Sequence, residues 1–176
     1  MIEIRNAVLN DAVGIATVHI ASWRETYRGM VPDDFLENLS IQRRTAQWEN
    51  SLSDSENTYH RAFVAVMDGQ IVGFSNYGYA TENASDFRGE LFALYLLQSA
   101  QGQGIGGELI RAAVGGLRGM HVDSMMVWVL KENPTRKFYE HFSGKYLQEK
   151  PIEIGGATLI ETAYGWRDLS RLQSGE

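Results

Sequence analysis

Gln101-Gly102-Gln103-Gly104-Ile105-Gly106-Gly107 is the stretch on which the fold reading turns. It follows a nearly continuous apolar run, Glu90 to Leu97, and opens a segment of helical period, Gly104 to Leu117. The first turn of a helix leaves N–H groups without intrahelical partners, and they carry partial positive charge. Glycines let a phosphate come close to those groups. Placed between a buried strand and a helix, the segment reads as a backbone cradle for a pyrophosphate.

The pattern on either side defines the frame. Met1 to Asn6 alternates Ile2 and Ile4 with polar residues, as a strand does. Asn10 or Asp11 is placed to cap a helix running through Ile15, Val18, His19 and Trp23 to about Arg28, where Gly29 ends it. Pro32 and the acids Asp33 and Asp34 favour a second helix start, and Ile41 to Leu52 reads as a third helix. His60 to Met67 and Gln70 to Tyr79 form a hairpin across Asp68-Gly69. After the glycine loop come a buried strand, Ser124 to Leu130, and a short helix, Asn133 to Phe142. Lys145 to Ile154 and Thr158 to Trp166 pair across Gly155-Gly156. The expectation is an α/β protein (α+β by some schemes). It has a mixed central sheet of about seven strands flanked by helices, in one domain over residues 1–169. Residues 170–176 read as a polar, fraying tail.

Composition narrows the function classes. At 176 residues the chain suits one domain that needs no staples. It has no cysteine, which removes disulfides, thiolate metal sites and cysteine nucleophiles. The four histidines are scattered and no HExxH occurs, so no metal is expected. No signal-like N-terminus and no membrane-length apolar run are present, so a cytoplasmic, soluble protein without membrane partners is expected. A net charge of −6 argues against nucleic acid as a partner. It also means that a polyanionic ligand must be held by local geometry and not by the overall field.

Two chemistries compete for the loop. Gly102-x-Gly104-x-x-Gly107 matches a dinucleotide fingerprint, which requires an acid about 20 residues on, at the C-terminal end of the next strand. Asp123 has the distance but precedes its strand, and the loop lies past the middle of the chain, after three antiparallel strands. The other spacing is Gln101-x-x-Gly104-x-Gly106. With Gly89-Glu90-Leu91 before it and Asn133-Pro134-x-x-x-Phe138-Tyr139-Glu140 after it, the chain resembles the GCN5-related N-acetyltransferases (GNAT) from the first strand to Trp166.

The resemblance implies a GNAT acyl-CoA N-acyltransferase fold. It also implies acetyl-CoA as co-substrate, and direct transfer to an amine of a small molecule or peptide in a ternary complex. It assigns the cofactor to Leu94, Tyr95 and Leu96 through their backbone, to the loop Gln101, Gly102, Gln103, Gly104, Ile105, Gly106 and Gly107, and to Asn133, with Arg136 as a phosphate contact. Tyr139 is the implied general acid and Glu90 the implied base, directly or through water. Burial raises a carboxyl's proton affinity, which suits that role. Asn133 is also placed to cap a helix, and Tyr139 to fill a core, so each has a purely structural alternative. His19, Trp23 and Tyr27 lie on one helical stripe, and the resemblance sets Trp23 and Tyr27 beside the acceptor. A binding module without transfer activity carries the same loop, and a homodimer is open.

Overall fold

The computed structural model describes residues 1–54, 56, 60–81 and 86–173; the outer part of the expected tail, 174–176, lies outside them. Seven strands form one sheet: β1 (Ile2–Asn6), β2 (Arg61–Met67), β3 (Gln70–Tyr79), β4 (Gly89–Leu96), β5 (Met125–Leu130), β6 (Lys145–Ile154) and β7 (Ala157–Trp166). Their order is β1-β2-β3-β4-β5-β7-β6. Only the central pair, β4 and β5, is parallel. That pair needs a crossover, and α4 (Ile105–Gly119) supplies it. The helices α1 (Ala12–Thr26), α2 (Asp33–Glu37) and α3 (Ile41–Ser53) precede the hairpin, and α5 (Arg136–His141) precedes β6.

The sheet is covered on both faces. Ile15, Ala16 and Val18 of α1 pack with Trp48 of α3 onto Val64 and Phe74. On the other face Ile110, Ala113, Val114 and Leu117 of α4 pack onto Tyr77, Leu91 and Val127. Each fully buried Leu, Ile or Val contributes about 1.5–3 kcal/mol, so these two faces outweigh any single surface contact. A third cluster joins Tyr27, Val31 and Leu36 to Leu130, with Phe35, Ile152 and Ile154 packed against it. It fixes the α1–α2 segment against the β6–β7 hairpin.

Four sequence expectations are corrected. Asp11 does not cap α1 through its side chain. Its carboxylate instead takes a two-pronged contact from Arg5, at 2.7 and 2.9 Å, and the Val8 N–H at 2.8 Å. The Arg5 hydrogen bonds hold its pKa below the usual carboxylate range. The helix expected from Asn133 starts only at Arg136, because residues 133–135 form a turn in which Asn133 Oδ1 accepts the Thr135 N–H at 2.9 Å. Ser170–Gln173 is helical, and Leu172 packs against the core, so this part of the tail is docked. Lastly, β4 is not buried on both faces throughout: Gly89, Glu90 and Leu91 are buried, while residues 92–96 are half-buried.

Gly116 marks the tightest approach between α4 and the sheet. A Cβ there would meet the hydroxyl and ring of Tyr77, which is itself buried and stacked on Phe63. Gly119, in the same helix, faces open space. Ala in place of Gly favours a helix by about 1 kcal/mol, whereas overpacking costs about 1–3 kcal/mol. Urea unfolding should therefore show opposite signs. Gly119→Ala should stabilise by about 0.5–1 kcal/mol and Gly116→Ala should destabilise by about 1–2 kcal/mol. Equal effects would contradict the packing described.

Candidate active site

The site starts from one irregularity. Asn76 pairs with Ala93 and Tyr77 with Leu91, so Phe92 is an extra residue in β4. A bulge bends its strand and ends regular pairing. Pairing with β5 runs only from Gly89 to Leu91 on the β4 side, and beyond that the two strands part. The opening is a cleft of about 490 Å³. Its walls are residues 92–96 of β4 and Val127 to Val129 of β5, and it ends at the glycine loop.

The parted strand offers backbone groups. Leu97 N–H bonds Val72 O on the β3 side. By alternation along the strand, the N–H and C=O groups of Leu94 and Leu96 point to the β5 side. Gln101 Nε2 donates to Leu96 O at 3.3 Å, which ties the loop to that edge. Gly102 and Gly104 have φ of +74° and +81°, conformations that favour glycine. Gly104 is the N-cap of α4 and offers no side-chain cap. The first helical bond is Glu108 N–H to Gly104 O, so Ile105, Gly106 and Gly107 present N–H groups without helical partners. The ring of Phe138 lies beneath Gly106 and that of Phe142 beneath Gly107.

Most of the expected site residues converge here. Leu94, Tyr95, Leu96, Gln101, Gly102, Gly104, Ile105, Gly106, Gly107, Asn133, Tyr139 and Tyr27 all line the cleft. Burial raises the pKa of Tyr27, Tyr95 and Tyr139, so all three hydroxyls hold their protons. The Tyr27 and Tyr95 hydroxyls are 3.4 Å apart. The Tyr139 ring is fixed between Phe138 and Trp166.

Three expected residues stand apart, and a fourth, Trp23, lines only the second cavity described below. The Gln103 side chain turns to Ser99 O at 3.3 Å. Arg136 faces β6 and β7, where its charge acts on Tyr164 and Glu149. Glu90 is buried at the start of β4, with Thr81 N–H and hydroxyl 3.4 and 3.5 Å from its Oε2. It lines neither this cleft nor the second cavity described next.

That second cavity, of about 320 Å³, is walled in part by the stripe expected beside the acceptor. It lies between α1, α3 and the sheet, and shares Phe92, Ala93 and Tyr95 with the cleft. Trp23, His19 and Trp48 wall it, with Arg44, His60 and Asn76 as polar groups. The stripe His19–Trp23–Tyr27 thus spans both cavities. Arg44 reads in the sequence as a solvated helix residue; the packing of α3 against α1 turns it toward the cavity.

The arrangement has known parallels. The Acetyltransferase (GNAT) family model matches residues 19–144. YuaI of Bacillus subtilis, described as an uncharacterized N-acetyltransferase, is 35% identical over 175 residues, covering 99% of this chain and 98% of that protein. The fold is similar to that of the PaiA N-acetyltransferase of Thermoplasma acidophilum in complex with coenzyme A, with TM-score 0.70, 22% identity, and 92% and 98% of the two chains covered. It is also similar to YncA of Salmonella typhimurium with acetyl-CoA, with TM-score 0.71, 15% identity, and 96% and 94% covered.

His19 yields a prediction from its setting. Burial, aided by the charge of Arg44, pushes its pKa down from 6.5 to about 3. The folded protein therefore carries it neutral, while the unfolded chain protonates it below about pH 6.5. Its contribution to stability is complete above that pH and is lost as pH falls toward about 3, by up to about 1.4 kcal/mol per unit. Denaturation between pH 7 and 5 should show this slope in the wild type, and His19→Gln should flatten it. An unchanged slope in the variant would contradict a neutral His19.

Proposed function

The chain belongs to the GNAT family of acetyltransferases, and from that premise we propose that it moves an acetyl group from acetyl-CoA directly to a primary amine of a small molecule or peptide, within a ternary complex. One observation carries this reading: the bulge at Phe92 opens a free strand edge that leads straight into the uncapped N-terminus of α4.

The parts divide by chemistry. Backbone groups of Leu94 and Leu96, around Tyr95, pair with the amides of pantetheine as a neighbouring strand would. The N–H groups from Gly102 to Gly107 receive the pyrophosphate, and the positive end of α4 favours it. Backbone donors explain how an acidic chain holds a polyanion. Asn133 spends its Oδ1 on the local turn and its side chain also meets the Tyr27 hydroxyl, so its amide nitrogen would share the cofactor with Tyr27 at the cleft wall. Arg136 is not carried forward as a phosphate contact, because it faces away from the cleft.

In the transfer, the amine nitrogen forms a bond to the thioester carbonyl carbon and the C–S bond breaks. The sulfur takes a proton from the Tyr139 hydroxyl, whose buried setting keeps it protonated until then. The amine gives up its proton, and Glu90, lying off both cavities, takes it through solvent.

Two measurements test this. Isothermal titration should show acetyl-CoA binding; none at about millimolar cofactor, a Kd near the −4 kcal/mol limit, would remove the central reading. Tyr139→Phe should lower kcat by about 10²-fold or more while leaving acetyl-CoA affinity nearly unchanged, as loss of a general acid does. An unchanged kcat, where chemistry limits the rate, would remove the acid role.

A further inference from the structure

We infer that the cavity between α1, α3 and β4 is the acceptor subsite, and that the Arg44 guanidinium there binds the carboxylate of a small apolar amino acid whose amine is acetylated. This rests on the acetyltransferase reading above and adds the acceptor class. The cavity touches the cleft at the one place where β4 is distorted. Phe92, Ala93 and Tyr95 line both spaces, so a molecule in one lies next to the carbonyl end of a molecule in the other.

Charge then selects the acceptor. Arg44 is half-buried, and among the described residues it has no carboxylate partner. Among the described residues lining this cavity none is acidic. A guanidinium withdrawn from water without a counter-ion is costly, and a bound carboxylate would satisfy its planar fork with two hydrogen bonds. The buried Nδ1 of His19 likewise lacks a hydrogen-bond partner among the described residues. His19 is neutral, stacked on Tyr95 at 5.0 Å, and adds no positive charge of its own. A cationic polyamine would meet Arg44 and no anion among the described residues, so this cavity disfavours it despite the chain's net charge of −6.

The walls set the rest of the class. Trp23, Trp48 and Phe92 give aromatic surface beside the polar Gln47, Ser51 and Asn76, and a space of about 320 Å³ suits one small side chain. Amine, carboxylate and apolar side chain on one compact skeleton describe an amino acid such as leucine, methionine or phenylalanine.

The test uses those three amino acids, each beside its own primary carboxamide, with release of free coenzyme A as the readout. The carboxamide keeps the amine and side chain but lacks the charge. Its amine is also less basic, so more of it is neutral at neutral pH, and a preference for the acid runs against intrinsic reactivity. The wild type should favour the acids by about tenfold or more in kcat/KM, equivalent to one charge-assisted contact of about 1.4 kcal/mol. Arg44→Gln should erase that preference by raising KM for the acid, without changing acetyl-CoA affinity. Arg44→Lys should keep part of it, since the charge stays but the fork is lost. Equal or better use of the carboxamides, a preference that survives in Arg44→Gln, or acetyl-CoA binding with no transfer to any of the acids would overturn the inference. Failure to bind acetyl-CoA at all would instead overturn the acetyltransferase reading beneath it.

Discussion

One extra residue in one strand governs the molecule. Phe92 interrupts the β3–β4 ladder, and from that point β4 and β5 cannot stay paired. A central parallel pair would normally be the most buried part of such a sheet. Here its second half is opened, and the backbone groups exposed by the split are what a ligand with amide groups can use. The cost of unpaired strand edge is tolerable only because both flanks are held firmly. Phe74 and Leu91 anchor the sheet beside the bulge, and β7 pairs with β5 along its whole length.

The glycine loop depends on that split. Its N–H groups are useful only if the cleft delivers a ligand to them, and the cleft points at them because α4 leaves β4 at its open end. Gln101 joins the two features by bonding Leu96 O. The Phe138 and Phe142 rings beneath Gly106 and Gly107 bring α5 under the same loop. This docking carries Tyr139 into the cleft from the opposite wall. Strand edge, helix terminus and tyrosine are therefore one assembly, and a shift in any of the three moves the others.

Much of this was legible in the sequence, for local reasons. The seven strands and the position of α4 follow from periodicity and from turn residues such as Asp68-Gly69 and Gly155-Gly156, which take positive φ in the structure. The loop is local too: its chemistry is backbone chemistry, and glycine spacing reports it directly. What was not legible is tertiary. Asp11 looks like a cap, but the turn between β1 and α1 brings its carboxylate to Arg5 and the Val8 N–H, a contact that helix-cap spacing does not signal. The half-burial of residues 92–96 depends on a bulge that no composition signals. Arg136 and Arg44 show the same limit in opposite senses. The motif suggested the first as a cleft residue, and packing turns it toward β7. No motif marked the second, and packing turns it toward a cavity.

The helical stripe of α1 draws these points together. His19, Trp23 and Tyr27 are spaced one turn apart, and such a stripe most often serves only as core. In this fold the stripe crosses the sheet above the bulge. His19 and Trp23 face the second cavity, while Tyr27 faces the cleft. Tyr95, beneath them, stacks on His19 and meets the Tyr27 hydroxyl. These aromatic side chains thus run along both spaces, which share Phe92, Ala93 and Tyr95. On the proposed reading, two spaces that meet at these residues would hold cofactor and acceptor in a fixed relation, the larger part of what a direct transfer requires.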